Sequence, residues 1–314
     1  MKFHPFVLFL IAFVLSLLLT PFSIFIAKKV GALAVPDERR RHKGYIPQLG
    51  GLAIFLSFVF TSFFLLLKGV ISWESGYNAV IVGGGLIVIL GILDDIFELP
   101  AYLKFIGQAI VACLAIAMGL RVSLLSSPFS GGYIRLGIIG TIGTFFWIVG
   151  LINAINFIDG LDGLAAGICA ISSVALFTLS LFLQRIEVAL LFLILAGSCL
   201  GFLPFNFYPA KTFMGDTGAM FLGYTIAVLA VMGAVKTALL VSIGVPFFVL
   251  AIPIIDALFV TSKRIANRRS PFRGDREHIH FTLLNRGYSE REVVIILYLA
   301  TILFSGLALF LARS

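Results

Sequence analysis

A chain of 314 residues that is 60% hydrophobic and only 12% charged has about half the charge density of an ordinary soluble domain, which excludes a water-soluble globular enzyme. Its formal net charge of +8 fits contact with an anionic membrane leaflet and anionic substrates, so no nucleic-acid partner is expected. Cys113, Cys169 and Cys199 are odd in number, lie in apolar stretches and lack C-x-x-C spacing, so neither a disulfide framework nor a zinc site is implied.

Apolar runs close to the ~20 residues that a helix needs to cross a bilayer recur from end to end. They predict ten spans, at 3–27, 50–67, 77–93, 104–120, 137–153, 163–183, 187–203, 217–234, 237–262 and 292–312. The expected fold is all-α: a polytopic integral membrane protein forming a single domain over 1–314. The first apolar run is too long for a secretory signal and no A-x-A site follows it, so it is expected to remain as a membrane helix. Pro246 and Pro253 interrupt the ninth span, predicting a bent or broken helix beside a cavity.

The connections at 28–49, 94–104, 154–162, 204–216 and 263–291 hold 16 of the 23 Lys and Arg residues. By the positive-inside rule this face is cytoplasmic and both termini lie outside, as in a multi-pass plasma-membrane protein. Thirteen of the fifteen acidic residues, counting Asp256 near the inner end of its span, and three of the four histidines share that face. Inner loops are also longer and polar residues collect in loops, but carboxylates, imidazoles and guanidinium groups on one surface make a candidate site.

In chain order, the first of these loops reads VPDERRRHKGYIPQLGG, in which Arg39, Arg40, Arg41, His42 and Lys43 precede a glycine-rich helix start. Such a patch suits phosphate oxygens, or equally lipid headgroups. Next, Asp94 and Asp95 close the third span in LGILDDIFELP. Adjacent carboxylates point about 100° apart on a helix, so at least one should line a polar cavity rather than lipid. The stretch NFIDGLDGLAAG spaces Asp159 and Asp162 three apart, with Asn153 and Asn156 on the same stripe if the segment is helical. Clustered oxygen ligands of this kind suit Mg²⁺ or an organised set of hydroxyl and phosphate contacts, whereas a helix cap would explain only one of the aspartates. In PFNFYPAKTFMGDTGAMFLG, Asn206, Lys211, Phe213 and Asp216 precede the eighth span. Asp216 between glycines at a helix mouth is placed to hold a metal, and Phe213 to stack on a base or simply to sit at the interface. Finally, RRSPFRGDREHIHFTLL sets His278 and His280 two apart, on one side of an extended segment but about 200° apart on a helix. Beside Arg268, Arg269, Arg273 and Arg276 they fit anion contact or proton handling better than zinc.

Taken together and in this order, R-x-H-x-G-x-x-P-x-x-G-G, L-D-D, N-x-x-N-x-x-D-G-x-D-G-L-A-A-G, P-A-K-x-F-M-G-D-T-G and D-R-x-H-I-H resemble the polyprenyl-phosphate N-acetylhexosamine-1-phosphate transferase family (glycosyltransferase family 4) over nearly the whole chain. RRHKGYIPQLGG and SPFRGDREHIH look more like its WecA/TagO branch, which works from UDP-GlcNAc, than the branch transferring phospho-MurNAc-pentapeptide, which usually carries T-P-T-M-G-G where this chain has IPQLGG. The family commonly continues H-I-H-H; here Phe281 replaces the last histidine.

The resemblance implies that a lipid phosphate attacks the β-phosphorus of a UDP-N-acetylhexosamine, yielding a lipid-linked diphospho-sugar and UMP, with Mg²⁺ (Mn²⁺ as an alternative) on the diphosphate. A two-step route through an aspartyl-phosphate stays open. Carried over position by position, it implies Asp216 as metal ligand and Asp94 as acceptor of the lipid phosphate's proton, assisted by Asp95. Asp159, Asp162 and Asn156 organise the sugar nucleotide, and Asn206 and Lys211 belong to the substrate site. Phe213 stacks on uracil, Arg41, Lys43, His278 and His280 meet phosphate oxygens, and Arg268 or Arg269 meets the N-acetyl sugar. A homodimer is compatible with this picture. The rival from another class is a secondary transporter, although these acids sit at loop edges rather than at the midplane.

Overall fold

The computed structural model describes residues 4–34, 44–122, 124–126, 133–233, 244–267 and 278–313. Seven of its helices are long and apolar enough to cross a membrane: α1 (Pro5–Val30), α3 (Asn78–Phe97), α5 (Gly137–Ile158), α6 (Leu164–Phe182), α7 (Ile186–Asn206), α8 (Gly215–Gly233) and α12 (Glu290–Arg313). Two apolar helices are shorter, α2 (Gly51–Leu67) and α4 (Ala101–Ala117). At 1.5 Å per residue their 17 residues reach about 26 Å, less than the ~30 Å of a bilayer's hydrocarbon core. The region expected as the interrupted ninth span holds two helices, α9 (Val245–Val249) and α10 (Ala251–Ala266), which part at Leu250; residues 234–243 lie outside the described part. A short α11 (Ile279–Asn285) precedes α12. The fold is therefore an all-helical, polytopic membrane bundle.

Two small antiparallel ribbons close opposite ends of this all-α bundle. Strand β1 (Leu33–Ala34) pairs with β2 (Ile46–Pro47), Leu33 facing Pro47 and Ala34 facing Ile46. Strand β3 (Leu124–Ser126) pairs with β4 (Tyr133–Arg135). Strands this short carry no period that a sequence can reveal.

Helix α8 is the axis of the bundle, with nearly all of its residues buried. Its neighbours approach through glycines, as apolar helices do where no hydrophobic force draws them together in lipid. A Cβ on Gly51 of α2 would collide with the backbone of Gly218, and one on Gly91 of α3 with that of Thr217. On α8 itself, Gly223 leaves no room for a Cβ against Ile152 of α5. These contacts bring the ends of α2, α3 and α5 to the first turn of α8. There β2 and its continuation are stitched to the loop before α8: Phe213 N donates to Pro47 O at 2.8 Å, Gly50 N to Phe213 O at 3.0 Å and Gly51 N to Met214 O at 2.9 Å.

Candidate active site

The helix ends meeting at that point supply most of the polar groups. Helix α3 ends with Asp94 and Asp95 in its last turn, and its backbone reverses through Glu98, in the left-handed region at φ 49°. Pro100 then opens α4, so Lys104, in its first turn, faces back toward α3. Lys104 Nζ forms an ion pair with Asp94 Oδ2 and donates to Asp216 Oδ2 at 3.1 Å. The other oxygen of Asp216 accepts a hydrogen bond from the side-chain amide of Asn156, near the end of α5. A carboxylate, an ammonium, a second carboxylate and an amide thus form a continuous chain across four helices. Asp94 is sealed in, 2% exposed, with Oδ1 accepting from Leu99 N at 2.9 Å. The Asp216 side chain, 26% exposed, is the open end of the chain.

Asp95, expected to assist Asp94, is otherwise engaged. Its Oδ1 accepts from Asp216 N at 2.9 Å, and its Oδ2 accepts from Thr217 N at 3.0 Å and Thr217 Oγ1 at 2.6 Å. It caps the amino end of α8 from another helix, satisfying N–H groups that the first turn cannot pair internally. Gly215, at φ 71°, is required there: a Cβ would run into Gln48 O and the Asp95 carboxylate.

Asp159 and Asp162 do not share a helix face. Helix α5 ends at Ile158 and α6 starts at Leu164, and the glycines between them make a turn, Gly163 at φ 77°. Only Asn153 and Asn156 lie on one helical stripe, and Asn153 turns to Gln108, donating to its Oε1 at 2.7 Å. Asp162 Oδ2 accepts from Ala210 N at 2.8 Å, while buried Asn206 accepts from Gly163 N at 3.2 Å and donates to Thr212 O at 3.0 Å. Asp162 and Asn206 therefore tie the 159–163 turn to the loop before α8, on which Lys211 is exposed and Phe213 half-buried.

The histidine segment packs against the end of α5. His278 has extended backbone before α11 (φ −65°, ψ 153°), and its ring lies parallel to that of His280, 5.7 Å between centroids. Its Nδ1 is 2.7 Å from Asp256 Oδ2, and its ring is 5.6 Å from that of Phe157, next to Asn156. His280 is fully buried over Gly160, where a Cβ would collide with Nε2, and neither ring nitrogen has a hydrogen-bond partner among the described residues. Burial holds its pKa down to about 4, with Asp256 pulling the other way and His278 adding to the depression. His280 is thus held as a neutral ring enclosed beside the turn that carries Gly160. Arg41, Lys43, Arg268 and Arg269 lie outside the described residues.

Sequence reasoning missed Lys104, whose only signal was a lone cation heading an apolar helix just after the paired aspartates. It also missed Gln48, whose amide donates to Asp95 O at 2.9 Å, and Thr217; neither residue type announces such a role.

Among the described residues no three His, Cys, Asp or Glu side chains form a metal cage. The donor set at Asp216 is of another kind. One partly exposed carboxylate beside an amide suits Mg²⁺, which usually takes one or two protein oxygens and completes its shell with substrate phosphates and water.

Residues 77–234, half of the chain and the part holding this cluster, match the sequence profile described as glycosyl transferase family 4. The chain belongs to that family. Relatives of this family-4 protein extend the likeness to nearly its full length. It is 40% identical over 308 residues, 98% of this chain and 85% of the relative, to the Bacillus subtilis protein described as "Probable undecaprenyl-phosphate N-acetylglucosaminyl 1-phosphate transferase". It is 36% identical over 300 residues, 87% of this chain and 74% of the relative, to the decaprenyl-phosphate N-acetylglucosaminephosphotransferase of Mycobacterium tuberculosis. Against the undecaprenyl-phosphate alpha-N-acetylglucosaminyl 1-phosphate transferase of Escherichia coli K12 it is 29% identical over 300 residues, 94% of this chain and 80% of the relative.

Proposed function

We propose that this protein transfers GlcNAc-1-phosphate from UDP-GlcNAc to polyprenyl phosphate, releasing UMP and beginning a cell-envelope polymer. One observation carries the reading beyond the family: Lys104 bridges Asp94 and Asp216 at the mouth of the bundle, with Asn156 on the far oxygen of Asp216. An oxygen of the lipid phosphate bonds to the β-phosphorus, the bond from that phosphorus to the bridging oxygen breaks, and the oxygen leaves with UMP. Both reactants are anions, so positioning and electrostatic stabilisation must do most of the work.

Lys104 serves the phosphate oxygens. Asp94, behind it, takes the proton of a monoanionic lipid phosphate. Asp216 and the Asn156 side-chain oxygen, after rotation of the amide, would hold Mg²⁺, which would offset the charge of the diphosphate. His278, Arg41 and Lys43 meet phosphate oxygens, Phe213 stacks on uracil, and Arg268 or Arg269 meets the N-acetyl group. Asp159, at the end of α5, adjoins the sugar nucleotide. The site faces the cytoplasm. The prenyl chain enters beside the break at Leu250, where Phe247 and Phe248 of α9 and Leu258 and Phe259 of α10 are exposed apolar surface.

Purified full-length protein in detergent should release UMP only when UDP-GlcNAc, polyprenyl phosphate and Mg²⁺ are all present, and Asp216→Ala should abolish release while eluting as a folded protein. Full turnover by that variant would remove Asp216 from the metal site, and release from other UDP-sugars but not UDP-GlcNAc would overturn the substrate assignment.

A further inference from the structure

Asp256 is buried in α10, 5% exposed, and far along the sequence from the other acids of the site. A carboxylate enclosed among apolar helices persists only where its charge is paired and its oxygens hydrogen-bonded. Both oxygens are committed to the same short segment: Oδ2 to His278 Nδ1 and Oδ1 to Ile279 N, each at 2.7 Å. The first of these bonds sets the tautomer. With an anionic acceptor against it, Nδ1 carries the proton, so Nε2 is the nitrogen left for anything else the ring touches. The second anchors the backbone immediately after the ring. His280 and Phe157 complete the enclosure, with Phe157 adjoining the Asn156 that bonds Asp216.

We propose that Asp256 is the positioning residue for His278: it holds Nδ1–H and the ring's orientation so that Nε2 faces the phosphate oxygens of the substrates, and its charge balances the ring when Nε2 takes up a proton there and donates it in a hydrogen bond to a phosphate oxygen. This rests on the assignment of His278 to those oxygens. Asp256 itself touches no substrate. Asparagine at this position can accept only one of the two bonds through its oxygen. Its NH₂ group, if turned to the ring, favours a bare Nδ1 and so the opposite tautomer.

The test is a double-mutant cycle on the full-length enzyme, reading UMP release with UDP-GlcNAc, polyprenyl phosphate and Mg²⁺. Asp256→Asn is expected to lower kcat by about 10- to 100-fold, the usual cost of losing the partner that orients a functional histidine, while KM for UDP-GlcNAc moves less than about threefold. His278→Ala should lose at least as much, and the double variant should be no slower than His278→Ala alone, because the carboxylate has nothing left to orient. A structural role for Asp256 would instead multiply the two losses, and that result, or wild-type turnover in Asp256→Asn beside an impaired His278→Ala, overturns the proposal alone. Wild-type turnover in His278→Ala removes the phosphate role of His278 and this inference with it. Should Asp256→Asn not fold, histidine ¹⁵N spectra of the wild type decide: the resonances lost in His278→Ala should show a protonated Nδ1, and a neutral ring protonated only at Nε2 overturns the proposal.

Discussion

Asp94 and Asp95 are chemically identical neighbours with opposite employment, and their divergence follows from helix geometry. About 100° of rotation separates them, so one faces Lys104 and the other the first turn of α8. The sequence shows that they must part; it cannot show which goes where, because the amides that take Asp95 lie 121 and 122 positions further along the chain. Their asparagine variants should separate accordingly. Asp95→Asn weakens a cap, at a cost of about 1 kcal/mol, and shifts Asp216, lowering both thermal stability and turnover. Asp94→Asn should lose turnover by about 100-fold or more while leaving the melting temperature within a few degrees, since the amide still accepts from Leu99 N. Melting curves beside UMP assays distinguish the two, and equal destabilisation would refute the division of labour. His280 poses a different residue-scale question. Its pKa, near 4 in the fold against 6.5 for the free side chain, means that between those values the unfolded chain binds a proton that the folded one refuses. Its contribution is intact above pH 6.5 and is lost progressively as pH falls toward 4, about 3 kcal/mol in all. The comparison is wild type against His280→Leu, which leaves every other group in place: the wild-type midpoint minus that of the variant should fall from pH 7 to pH 4, and a constant difference would count against a neutral buried ring.

Elements were legible where their signal was local. Apolar runs of helical length marked the long helices to within a few residues, because in lipid the backbone must satisfy itself within each segment. The end of α5 was not: the expected span stopped at 153, whereas the helix continues to Ile158. Two asparagines look like a loop, being weak helix formers that compete for backbone bonds, unless something outside the helix holds their amides. Asn153 is held by Gln108 of α4, itself within reach of Met220 of α8 at 3.9 Å. These three residues lie one turn deeper on the same helices as Asn156, Lys104 and Asp216, so the pair forms a floor beneath the site. Asn153→Ala and Gln108→Ala should each lower kcat by about tenfold, as an orphaned buried amide costs about 1–3 kcal/mol. The double variant should lose little beyond either single one, because the second substitution removes the orphan left by the first. Losses that multiply would show that the floor is two independent packing positions.

At the scale of the whole molecule, the chain distributes charge by end rather than by domain. Lys28 and Lys29 close α1 at the same end of the bundle as Lys104, Lys211 and the histidine segment, whereas Arg121, Arg135, Arg185 and Arg313 belong to turns and ends at the other. That alternation was readable because it needs only span boundaries and residue types; the site's own geometry was not, because Asp216 of α8 meets Asn156 of α5 across 60 positions and Lys104 and Asp95 of α4 and α3 across 112 and 121. Transport fits the arrangement poorly: Asp256, an acid inside the α10 helix, has both oxygens taken by the chain's own His278 and Ile279, whereas a transporter's acid must be free to meet its ion near the midplane. Basic residues retained on one side set orientation, so the end bearing Lys211 should face the cytoplasm and the end bearing Arg313 the exterior. Both side chains are exposed. In a variant with Cys113, Cys169 and Cys199 replaced, a cysteine at position 313 should react with a membrane-impermeant maleimide in intact spheroplasts. A cysteine at position 211 should react only after the membrane is opened. The reverse pattern would put the Lys104–Asp216 cluster on the outer face, away from the cytoplasmic pool of sugar nucleotides, and would overturn the proposed reaction along with the orientation.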